Sequence, residues 1–228
     1  LAVLITIMIQ AFRMAAEPFF FNQSKEENAP RTYARIMKFF VIACCFMFLF
    51  ISLYIDVFSW FFEAINKPAW TEGLTIVPLL ALGNIFLGVY YNLSIWYKLT
   101  NKNMMGAMIT IAGAIITIVL NIFLIPEWHY LGAAIATFCC YLFMVVVSYW
   151  LGQKHYPVPY ARKKLLAYIG MVIMLYLLHR GLIWTWDNRG FTILTATLFL
   201  CLFSFFVVKI EKKELQRLPF IGKFIMKI

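Results

Sequence analysis

Long apolar runs separated by short polar stretches dominate this chain. Seven runs stand out, over residues 1–21, 39–62, 74–97, 104–125, 130–151, 165–183 and 191–208. Each is close to the roughly 20 residues a helix needs to cross a hydrocarbon layer about 30 Å thick. Membrane-spanning strands would be about half as long and would alternate apolar with polar residues, whereas these runs are continuous. The pattern predicts an all-α fold: a polytopic transmembrane bundle of seven helices over residues 1–208. No connection is long enough to hold a soluble domain. The first run begins at Leu1 with no charged leader and no small-residue cleavage site. It therefore reads as part of a membrane segment of a longer protein rather than as a signal peptide.

Composition sharpens this picture. Of the 228 residues, 64% are hydrophobic, 18% aromatic and 13% charged, and the mean hydropathy is +0.83. Soluble domains are about half apolar and a quarter charged, so a soluble fold is excluded, as is a disordered chain. The net charge of +10 would raise nucleic acid as a partner in a soluble protein. Here its distribution says otherwise. Lys25, Arg31, Arg35 and Lys38 fall in the first connection, Lys98 and Lys102 in the third, and Lys154, Arg162, Lys163 and Lys164 in the fifth. The segment after residue 208 adds Lys209, Lys212, Lys213, Arg217, Lys223 and Lys227. The even connections and the run ends beside them hold only Lys67, Arg180 and Arg189. Cations accumulate on the cytoplasmic side of membrane proteins, so the odd connections and the C-terminus are expected inside and Leu1 outside. Trp60, Trp70, Trp128, Trp184 and Trp186 then fall at outer ends, and Trp96 and Trp150 at inner ends, as an interfacial aromatic belt would have them. Residues 209–228 mix these cations with Leu215, Leu218, Phe220, Ile221, Phe224 and Ile225 around Pro219. They read as a basic amphipathic tail on the anionic inner leaflet, or as a plain solvated tail.

One cation remains. Arg13 lies inside the first run, in Ala11-Phe-Arg-Met-Ala-Ala-Glu-Pro-Phe-Phe-Phe21. At about 1.5 Å per residue it is roughly 12 Å from the end of that run, where a charge must face protein or water. Glu17 follows one turn later on the same face. Pro18 lacks an N–H and deprives the Met14 carbonyl of its helical partner. Arg13 and Glu17 are the principal cavity candidates, with Arg13 suited to a phosphate; the plainer alternative is an ion pair that fixes packing. Asn84, Gly88 and Asn92 repeat at four-residue spacing, with Tyr91 beside them. Gly106, Thr110, Gly113, Thr117 and Asn121 share a face of the fourth helix, and Gly132, Ala136 and Cys139 mark the fifth. Such small, weakly polar residues bring membrane helices close and hydrogen-bond across them. Asn84, Tyr91, Asn92 and Asn121 remain weaker cavity candidates. Asp56, Glu63 and Glu72 lie at outer ends and are expected to be solvated.

The five cysteines sit in apolar runs with no ligand spacing, so neither metal nor disulfide is expected. His129, His155 and His179 are scattered in or beside polar connections. No phosphate-binding Gly-rich loop occurs, and no catalytic constellation sits on a soluble loop. Neither enzyme activity nor a cofactor is expected.

Three stretches together carry a resemblance: the Arg13–Glu17 segment quoted above; Gly83-Asn-Ile-Phe-Leu-Gly-Val-Tyr-Tyr-Asn-Leu-Ser-Ile-Trp-Tyr-Lys98 with Leu-Thr-Asn-Lys102 after it; and Leu120-Asn-Ile-Phe-Leu-Ile-Pro126 followed by Leu131-Gly-Ala-Ala-Ile-Ala-Thr137. In order and spacing the chain resembles the bacterial oligosaccharide flippases, of O-antigen or capsule type, in the multidrug/oligosaccharidyl-lipid/polysaccharide exporter superfamily. That resemblance implies a two-lobe fold of fourteen helices, of which these seven would be the eighth to fourteenth, with the N-terminal lobe missing. It implies a Gram-negative inner-membrane setting and a polyprenyl-diphosphate-linked oligosaccharide for lipopolysaccharide or other cell-surface polysaccharide. The cargo would move from the cytoplasmic to the outer leaflet by alternating access, with H+ or Na+ as possible coupling ion. Arg13 and Glu17 would lie on the cavity wall, with Arg13 meeting diphosphate or sugar acid.

The alternatives are a cation-coupled small-molecule (multidrug) exporter of the same superfamily, a polytopic glycan polymerase or ligase, and a non-transporting scaffold. The first favours acidic cavity residues, the second a large outward loop, and the third needs no buried charge. The charge distribution predicts that a fluorescent-protein fusion after residue 158 is active in the cytoplasm, while a periplasmic phosphatase fused there is silent. The opposite pattern would invert the topology.

Overall fold

In the computed structural model, residues 1–66, 69–185 and 188–215 are described. Every regular element among them is helical. In order these are α1 (Ala2–Gln23), α2 (Ala29–Leu53), α3 (Ile55–Ala64), α4 (Ala69–Glu72), a 3-10 turn (Gly73–Ile76), α5 (Val77–Leu93), α6 (Ile95–Leu99), α7 (Asn103–His155), α8 (Arg162–Thr185) and α9 (Arg189–Leu215). Six of the continuous helical stretches are long and apolar enough to cross a membrane.

One of the six is two helices in succession. A 53-residue α7 would be about 80 Å long, far beyond one crossing. It breaks at His129, whose φ of 46° and ψ of −124° are not helical. The two arms return antiparallel. A Cβ on Gly113 would lie 3.1 Å from Cys140 Sγ, and Ile109 packs with Cys140 and Met144 in one buried cluster. Pro126 precedes the break. With this division the described residues hold the seven long apolar helices that the hydropathy predicts.

The chain divides into two compact units, residues 1–169 and 170–228. In the first, α5 is the central element and contacts α1, α2 and α7. Ala81 and Ile85 of α5 are fully buried, as are Cys44, Cys45 and Leu49 of α2. Lipid is as apolar as leucine, so such helices associate through close packing. Gly88 of α5 shows why small residues are needed: a Cβ there would come within 2.7 Å of the Phe40 ring. Among the described residues, the threonines of α7 do not hydrogen-bond across helices. Thr110, Thr117 and Thr137 donate to carbonyls of their own helix, at Ala107, Gly113 and Ala133.

Helix ends differ from the hydropathy runs where charge interrupts an apolar face. α2 starts at Ala29, with Pro30 in its first turn, a position where the missing N–H costs nothing. Tyr33 and Met37 are buried while Arg31 and Arg35 are exposed, so these cations lie on a helix, not in a loop. A break at Tyr54 (φ −96°, ψ 14°) separates α2 from α3. Glu63 and Glu72 are exposed and Asp56 is half-buried.

Trp96 is not part of an interfacial belt. It is 2% exposed, donates its indole N–H to Ser148 Oγ at 3.2 Å and stacks on His155. Trp150 and Trp184 are exposed, at 69% and 91%. In the second unit, His179 is fully buried, with Nδ1 3.2 Å from Thr195 Oγ1, so it joins α8 to α9. α9 continues without interruption through residue 208 to Leu215; the tail thus begins as helix. Lys67, Trp186 and residues 216–228 of the tail lie outside the described residues.

The α7 hairpin closes where Gly132 meets the opposite arm, since a Cβ there would overlap the Leu124 carbonyl oxygen. Gly132→Val should therefore lower unfolding stability by about 1–3 kcal/mol through overpacking against backbone, read as a fall in the thermal midpoint in detergent. An unchanged midpoint would contradict this packing.

Candidate functional site: a charged crevice between α1, α5 and α6

Helical spacing on α1 puts Arg13 and Glu17 one turn apart, flanking a buried stripe of Ile9, Ala16 and Phe20. α1 runs through Pro18 as one helix. Arg13 Nε lies 3.8 Å from Glu17 Oε1, an ion pair too long to be a hydrogen bond. The closer partner of Glu17 comes from 81 residues away: Lys98 Nζ donates to the same Oε1 at 2.5 Å. Lys98 occupies the last turn of α6, where a cation also meets the negative end of the helix dipole. Arg13 has a second contact, its Cζ lying 4.8 Å above the centre of the Tyr91 ring, a cation–π arrangement.

Two cations thus converge on one carboxylate oxygen, and an aromatic ring holds one of them. Arg13, Glu17 and Lys98 line a crevice with Tyr91, Asn92 and Ile95. It holds about 10 Å³ of free space, room for about one water. The three charged side chains are partly exposed, at 39%, 38% and 25% for Arg13, Glu17 and Lys98.

The Gln23 end of the crevice is packed by residues of four segments. Ala16 and Phe20 of α1, Ala29 and Tyr33 of α2, and Ile95 of α6 share a buried cluster with Val158. Tyr33 donates its hydroxyl to the Phe20 carbonyl at 2.8 Å. Val158 belongs to the connection 156–161, and Gln153 Nε2 holds its carbonyl at 2.8 Å. In that connection burial pushes the Tyr156 and Tyr160 phenols up, so both are neutral near pH 7.

Of the residues singled out from sequence, the structure brings Arg13, Glu17, Tyr91 and Asn92 together. Asn92 lines the crevice but donates to Gly88 O of its own helix, at 3.1 Å. Asn84 lies elsewhere, its Nδ2 donating to the Ala2 carbonyl at 3.0 Å; it ties the start of α1 to α5. Asn121 is on the first arm of α7, and its buried Oδ1 has no hydrogen-bond partner among the described residues. Lys98 was missed as a site residue because it follows the third apolar run and reads as a loop cation. The available signal was the segment Ile95-Trp-Tyr-Lys-Leu99, which contains no Gly or Pro to end the helix before the lysine.

No protein-family model, no curated protein and no solved structure matches this chain.

Proposed function

We propose that this chain is the second, C-terminal lobe of a bacterial flippase for polyprenyl-diphosphate-linked oligosaccharide, in the inner membrane and with its C-terminus cytoplasmic. The observation that carries this reading is the charged crevice. Two cations and one acid meet within an apolar helical protein, leaving a net positive site. Ionisable side chains inside membrane helices are costly and mark substrate or ion pathways. An excess of cation suits an anionic diphosphate or sugar acid better than a cationic drug, which would need a surplus of carboxylates. The motif resemblance around Arg13, Asn84–Lys98 and Asn121–Thr137 supports the same cargo class.

In this reading Arg13 contacts the anionic part of the cargo, and Glu17 balances the site when it is empty. The chemistry is binding and reorientation, with no covalent step. Transport requires the other lobe, and H+ or Na+ would supply the drive.

The test is accumulation of lipid-linked sugar in cells whose only copy of the full-length protein carries Arg13→Ala. Transport is expected to fall at least tenfold, the loss of about one charge-assisted contact, with lipid-linked oligosaccharide building up on the cytoplasmic side. Retained surface polysaccharide at normal protein level would overturn the assignment.

A further inference from the structure

Three features of the crevice have a common explanation. The first is the sharing of one oxygen, since both Arg13 Nε and Lys98 Nζ address Glu17 Oε1. The second is that, among the described residues, the Arg13 guanidinium makes no hydrogen bond. Its contacts are the 3.8 Å ion pair and the face of Tyr91. A guanidinium offers five N–H donors in a planar fork that matches phosphate oxygens, and those of Arg13, on a side chain 39% exposed, are left open to a ligand. The third is the lack of room: about 10 Å³ admits no phosphate while the Glu17 carboxylate is in place.

We propose that Arg13 and Lys98 form a two-point binding site for a phosphate oxyanion, in which the Glu17 carboxylate is the resident stand-in that an arriving phosphate displaces from Lys98. Tyr91 keeps the Arg13 plane in position during the exchange. Lys98 is then a binding residue rather than only a topology-setting cation. Glu17 is a competitor for the site, which sets its affinity and offsets one of the two positive charges when no anion is bound. This deepens the transport reading above and rests on it only for the identity of the cargo.

The sign of one substitution separates a competitor from a supporting residue. Full-length protein in phosphatidylcholine nanodiscs is titrated with inorganic pyrophosphate by calorimetry. Glu17→Gln removes the competing charge and should tighten pyrophosphate binding about tenfold, one charge-assisted contact no longer having to be broken. Lys98→Gln should weaken binding about tenfold on the same basis, and Lys98→Arg should restore it. If Glu17→Gln fails to fold, Glu17→Asp takes its place. Its shorter side chain withdraws from Lys98, and the same tightening, smaller in size, is expected. A second arm repeats the titration with phosphatidylglycerol in the nanodisc. Weaker apparent pyrophosphate binding there identifies a phospholipid headgroup as an occupant; no change identifies a site selective for diphosphate; both support an oxyanion site. Glu17 variants that weaken binding or leave it unchanged would overturn the proposal, because Glu17 would then support the site or lie outside it. The outcome is separate from cargo identity. Unchanged surface polysaccharide in Arg13→Ala cells together with tighter pyrophosphate binding in Glu17→Gln would sink the flippase reading and leave the anion site standing.

Discussion

A carboxylate on a membrane-crossing helix must be neutralised by a partner within reach. Glu17 meets that requirement through Lys98, and the pairing dictates much of the first unit's geometry. It holds α1 against the end of α6, and therefore against α5, which is continuous with α6 but for the joint at Ser94. At the other end of the same contact, Asn84 grips the Ala2 carbonyl. α1 is thus fastened to the third long helix at both ends by polar groups. The intervening contact is apolar and close, with Gly88 admitting Ile9 and Phe40. Van der Waals packing alone is weakly specific between helices in lipid. The two polar fastenings fix the register that packing leaves open.

The same arrangement explains why the site is small. A charged crevice open to lipid would leave its cations unsatisfied, so the neighbouring segments close over it. Phe20, Tyr33, Ile95 and Val158 pack one end, while the guanidinium lies on Tyr91. The connection 156–161 sends Val158 into the core, with Pro157 and Pro159 exposed, although loops usually run over the surface. Pro157 and Pro159 suit it to an extended course, and Val158, at 2% exposure, anchors it.

The long helices were legible because a membrane span must be long, continuous and apolar, and hydropathy reads that constraint directly. Even the α7 hairpin was anticipated by the polar turn at Pro126–His129 and the small residues after it. Amphipathic ends were less legible. α2 gains a decade of residues because Arg31 and Arg35 fall on one face while Tyr33 and Met37 fill the other, and a running hydropathy average cannot separate faces. Trp96 was misplaced for a related reason. Position near a helix end suggested the interface, but Ser148 offers its indole a partner in the interior. In the candidate site, Arg13 and Glu17 were visible as neighbours four residues apart. Lys98 was not, because a contact across 81 residues leaves no local pattern. Local spacing does not encode which distant cation a half-buried acid pairs with.

Glu17 and Lys98 should be energetically coupled across the α1–α6 contact. A double-mutant cycle of Glu17→Gln and Lys98→Met, read by reversible unfolding of the full-length protein in mild detergent, measures that coupling directly. The two losses are expected to be non-additive by about 1 kcal/mol, as for contacting residues in one charge network. Additive losses, agreeing to within about 0.3 kcal/mol, would contradict it.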